Sequence, residues 1–109
     1  MTLKKAISVT EITPGTMKHV SVDGTEILMA NVDGNFYAIN NVCPHMGGSL
    51  AEGKLEGSIV RCPKHGAMFD VTTGKNTGPA KIAFMKMKVK DTQSYQVKVE
   101  GDDVFVEVA

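Results

Sequence analysis

The chain has only two cysteines, and each stands close to a histidine: Cys43-x-His45 and, after a sixteen-residue interval, Cys62-x-x-His65. Pro44 and Pro63 follow the cysteines, and Gly47 and Gly66 follow the histidines. Two short loops so equipped bring two thiolates and two imidazoles around one metal centre, a ligand set whose softness suits zinc or iron. A chain with this requirement needs a rigid scaffold that delivers both loops to one place.

The remaining sequence supplies a scaffold that is nearly all strand. Asp23-Gly24 and Asp33-Gly34 each separate two β-prone runs, the strongest short hairpin signal, and predict a meander of at least three strands from about Met17 to Asn40. Towards the C-terminus Met85, Met87 and Val89 alternate with Lys86, Lys88 and Lys90. Tyr95, Val97 and Val99 likewise alternate with Gln96, Lys98 and Glu100, and a further turn leads to Val104, Val106 and Val108. Such half-buried antiparallel strands predict a small β-sandwich or barrel, because each apolar sheet face must pack on another.

Between about Asn41 and Ala80 the rhythm breaks. Seven glycines and three of the four prolines fall there, so this stretch reads as loop-rich, with two short strands around "SIVRC" and "MFDVT". Both cysteine-histidine pairs lie in it. The expected organisation is one domain, 1–109, with the ligand-bearing region at about 41–80 inserted between scaffold strands.

Composition removes several classes of function. The chain has 109 residues, 12 basic and 12 acidic side chains and a formal net charge of zero, which gives no electrostatic reason to expect nucleic acid or an anionic membrane. No apolar run approaches the roughly 20 residues needed to cross a bilayer, and the N-terminal stretch is too short in apolar residues for a signal peptide. The reading is cytoplasmic, where thiols beside histidines bind metal more often than they form a disulfide.

At the motif Cys43-Pro44-His45-Met46-Gly47 and Cys62-Pro63-Lys64-His65-Gly66 the chain resembles the Rieske iron–sulfur proteins, and in particular their soluble ferredoxins. "NTGPAKI" is similar to the family's third, proline-containing loop, with Gly78-Pro79 placed to cover the cluster. The resemblance extends over essentially the whole chain. It implies a [2Fe-2S] cluster with one iron bound by Cys43 and Cys62 and the other by His45 and His65. Two neutral imidazoles in place of two thiolates leave the oxidised cluster near zero charge. An electron is then added more easily, which lifts Rieske potentials into roughly −150 to +300 mV.

Departures from the wider family carry information. High-potential members have an extra cysteine in each loop, joined in a disulfide; Gly48 and Lys64 stand at those positions here. The serine and tyrosine that donate hydroxyl hydrogen bonds to the cluster in those members are matched by Ala67 and Phe69. Fewer donors stabilise the reduced cluster less, so the chain resembles the low-potential ferredoxin branch.

No nucleophile and base, carboxylate pair or substrate pocket is defensible in the sequence, and a centre with all four ligand positions filled leaves no open site. The resemblance implies a monomeric one-electron carrier rather than an enzyme. Its implied donor is a flavin-dependent NAD(P)H reductase and its acceptor a terminal oxygenase, with no membrane or nucleic-acid partner. Two alternatives remain at this point: a small Rieske-like subunit of a nitrite reductase-type complex, and a structural zinc module. His19, alone in a strand pattern, reads as a surface side chain. Met46 and Met68, each within three residues of a ligand candidate, are candidates for an apolar rim, whereas the other methionines read as core.

Overall fold

The computed structural model describes residues 2–43, 48–63, 66–78, 80–82, 85–87 and 90–108. It is nearly all β, and among the described residues every strand pair is antiparallel. Strands β2 (Met17–Val22), β3 (Thr25–Val32) and β4 (Asn35–Asn40) form the meander expected from the two Asp-Gly turns. Asp23 and Gly24 both have positive φ (52° and 83°), as do Asp33 and Gly34 (53° and 91°). This is the turn geometry whose twist matches that of the flanking strands. A two-residue strand, β11 (Ser94–Tyr95), adds to the outer edge of β4.

A second sheet combines β1 (Thr2–Ser8), β13 (Asp103–Val108) and β12 (Val97–Glu100) in the order β1-β13-β12. The third sheet is assembled in chain order from β5 (Lys54–Glu56), β6 (Ile59–Arg61), β7 (Met68–Asp70) and β8 (Asn76–Gly78). The short strands β6 and β7 are those expected from "SIVRC" and "MFDVT". A small hairpin of β9 (Ala80–Ile82) and β10 (Met85–Met87) follows. The expected alternation of Met85, Met87 and Val89 concerns side chains outside the described residues.

The meander forms the middle layer. Ile27, Met29 and Ala38 pack with Ile7, Val104, Val106 and Val108 of the second sheet. Leu28, Ala30 and Ile39, on the opposite face, pack with Leu50, Val60, Phe69 and Val71 on the side of the third sheet. Strand β3 is therefore buried on both faces, with Ile27 through Ala30 fully buried, rather than half-buried as expected. Its uninterrupted "ILMA" run is the signature of a strand covered on both sides. Each such large side chain contributes about 1.5–3 kcal/mol of burial free energy.

Val104, Val106 and Val108 point into the core as expected, and Tyr95 and Val97 are half-buried, but Val99 is 47% exposed. β12 is an edge strand, and its outer end leaves Val99 without a covering layer.

Candidate metal centre

Both cysteines emerge from strand ends. β4 ends at Asn40, three residues before Cys43, and β6 ends at Arg61, immediately before Cys62. Each loop is closed by the same hydrogen bond: the Cys43 amide donates to the Gly48 carbonyl at 2.7 Å, and the Cys62 amide donates to the Ala67 carbonyl at 2.7 Å. The acceptor stands five positions after the donor in both cases. The two loops are thus local copies of one closure, carried by strands of different sheets.

Their bases meet in one place. Cys43 (1% exposed) and Cys62 (3%) belong to the same buried cluster as Leu50, Val60, Ala67 and Phe69. Sulfur is the soft donor that zinc and iron take readily. Two buried cysteines brought to one apolar cluster by two matched loops are therefore chemically suited to a metal centre. His45 and His65, with Pro44, Met46, Gly47, Lys64 and Pro79, lie outside the described residues. Among the described residues no three His, Cys, Asp or Glu side chains gather as a metal set.

The first loop is stapled by a residue the sequence did not single out. Asn41 is buried (3% exposed); its Nδ2 donates to Ser49 Oγ at 2.8 Å and its Oδ1 accepts the Ala51 amide at 2.9 Å. Its backbone amide donates to the Glu26 carbonyl, and its carbonyl accepts the Leu50 amide. Both strands of the loop base are thereby tied to β3. Val42, next in the chain, is 44% exposed.

The second loop is backed by Arg61, whose guanidinium lies over Gly66: a Cβ on that glycine would stand 3.2 Å from Nη2 and 3.3 Å from Nε. Gly66 is left-handed, with φ 75°. Gly53, just before β5, packs on the carbonyl of Arg61, the last residue of β6, so closely that no side chain fits between them.

Ala67 and Phe69 are fully buried beside the cysteines and carry no hydroxyl. Met68 is half-buried and covers Gly78, its partner across the β7–β8 pair. His19 is exposed, with its Nε2 3.3 Å from Glu26 Oε1.

The Rieske [2Fe-2S] domain family matches residues 2–96 of this chain. Among curated proteins, the chain is 39% identical over 108 residues to the biphenyl dioxygenase ferredoxin subunit of Pseudomonas sp. (strain KKS102), covering 98% of this chain and 93% of that one. Among solved structures, it is similar to the ferredoxin of carbazole 1,9a-dioxygenase from Nocardioides aromaticivorans IC177, with a TM-score of 0.84, 30% identity and 97% of each chain covered. It is also similar to a chain in the complex of reduced oxygenase and oxidized ferredoxin in carbazole 1,9a-dioxygenase. There the TM-score is 0.81 and the identity 29%, covering 95% of this chain and 91% of that one.

Proposed function

Because the chain belongs to the Rieske [2Fe-2S] family, we propose that it is the ferredoxin of a ring-oxidising dioxygenase system, standing between a flavin-dependent NAD(P)H reductase and a terminal oxygenase. When bound, the cluster supplies reversible uptake of one electron. The observation that carries the reading is the pair of identically closed loops whose buried cysteines meet in one apolar cluster. The dioxygenase ferredoxins that resemble the chain along nearly its full length support the same role.

In this reading Cys43 and Cys62 hold one iron, and His45 and His65 hold the other. The chain is one unit whose cluster-binding region, about 41–80, is inserted between scaffold strands. Leu50, Val60 and Phe69 exclude water from the cysteine side. Exposed Val42 and Pro63, at the bases of the two loops, offer apolar contact of the small extent that transient carriers use.

The experiment is reconstitution. A purified reductase and terminal oxygenase of a biphenyl dioxygenase system are supplied with NADH and biphenyl, with and without this chain. Product formation that rises in proportion to substoichiometric amounts of the chain is expected. A chain that is reduced by the reductase yet supports no turnover with this or other ring-oxidising oxygenases would overturn the assignment.

A further inference from the structure

We propose that the outward face of the third sheet is a cationic docking surface for a partner whose electron-transfer site is rimmed by carboxylates; this rests on the carrier role above. The register of the sheet produces it. Lys54, Arg61, Met68 and Gly78 are successive cross-strand partners in one row. Residues paired directly across antiparallel strands point to the same face. Leu55, Val60 and Phe69 of the neighbouring row face the core, so Lys54 and Arg61 face outward, and both are exposed.

This row lies at the loop end of the sheet, since β6 runs directly into Cys62 and β7 begins at Met68, directly after Ala67. Two rows further from the loops, Glu56, Ile59 and Asp70 pair in the same way on the same face. The face is thus polarised, with two cations next to the loops and two carboxylates away from them. Four ion pairs occur among the described residues, Lys5–Asp103, Lys18–Glu11, His19–Glu26 and Lys98–Glu100. All lie outside this sheet, and neither Lys54 nor Arg61 is neutralised by one.

Net charge decides why the arrangement matters. A chain with 12 basic and 12 acidic side chains has no monopole to steer an encounter. Orientation then depends on how charge is distributed. Uncompensated cations beside the loops turn the cluster end towards an acidic surface, and the carboxylates of the outer row turn the opposite end away. Arg61 also lies over Gly66, so its exposed charge sits against the second loop.

Small oxidants of opposite charge test the local potential directly. The dithionite-reduced, cluster-containing protein is mixed in a stopped-flow instrument with ferricyanide or with tris(phenanthroline)cobalt(III), each taking one electron, and the rates are followed across ionic strength. Oxidation by ferricyanide should slow as salt rises and oxidation by the cobalt complex should quicken. The Lys54→Glu/Arg61→Glu protein should reverse both trends, with ferricyanide slower by about 10-fold at low salt, whereas Glu56→Lys should change either rate far less.

If the double variant loses its cluster, Lys54→Glu and Arg61→Gln separately should each give part of the effect. Salt dependences alike for the two oxidants, or unchanged in variants with an intact visible spectrum, would overturn the surface while leaving the carrier role standing. A wild-type protein that holds no cluster would instead defeat the carrier role, and the surface with it.

Discussion

Gly53 lies so close to Arg61 that the space a Cβ would need is occupied by the Arg61 carbonyl. The contact joins the return from the first loop to β6, the strand that delivers the second.

Gly53→Ala should therefore force these segments apart. Overpacking against backbone, which cannot rotate away, costs about 1–3 kcal/mol and more where no relaxation is available. A lower midpoint of denaturation is expected together with reduced iron content per chain. A variant with wild-type midpoint and iron content would show that the loops are joined some other way.

Asn41 is the corresponding element of the first loop. Asn41→Ala leaves the half-buried Ala51 amide and the Ser49 hydroxyl without their partners. The expected destabilisation is about 1–3 kcal/mol, with faster amide exchange at Leu50 and Ala51. Asn35→Ala, at the exposed start of β4, should be close to neutral in a urea titration of both variants.

Ala67 and Phe69 bear on the potential. Hydroxyl-free side chains beside the cysteines predict a midpoint near the low end of the Rieske range, roughly −150 mV. Ala67→Ser introduces a donor that favours the reduced, more negative state. A differential of about 1 kcal/mol corresponds to a rise of about 40 mV for one electron. Protein-film voltammetry reads this directly, and an unchanged or lowered potential would show that the new hydroxyl does not reach the centre.

Glu11 supplies a pH signature remote from the metal. The Ser8 amide, donating at 2.6 Å, and the Lys18 ammonium at 3.1 Å hold its carboxyl below the ordinary value of 4.5. A depressed folded-state pKa adds stability above the unfolded pKa, and that stability is lost as pH falls through the folded value. Glu11→Gln should lower Tm slightly at pH 7. The difference should shrink as pH drops below 4.5, and a gap that is constant with pH would contradict the sign.

The parts of the fold that were legible in the sequence are those set by local chemistry. Asp23-Gly24 and Asp33-Gly34 specify their turns through backbone preference alone, so β2, β3 and β4 were readable, as were the short β6 and β7 between glycine-rich stretches. Burial depends on which layers come together. Val99 continues the alternation of Val97 yet stands exposed at an edge, and β3 is covered on both faces because a third sheet packs on it.

At the site, the Cys-x-His and Cys-x-x-His spacing marked the two loops, and Cys43 and Cys62 do share one cluster. Asn41, Gly53 and Arg61 gave no signal. Their roles rest on Ser49, Ala51, the Arg61 carbonyl and Gly66, which only the folded chain brings to them.

The most direct test is the metal itself. Protein purified anaerobically should contain two irons and two acid-labile sulfides per chain, be red-brown, and on one-electron reduction give the rhombic paramagnetic resonance with low average g that mixed cysteine and histidine ligation produces. Alanine at Cys43, His45, Cys62 or His65 should abolish or gravely weaken that signal, while His19→Ala should retain it. One zinc per chain, no sulfide and a colourless protein would contradict the assignment.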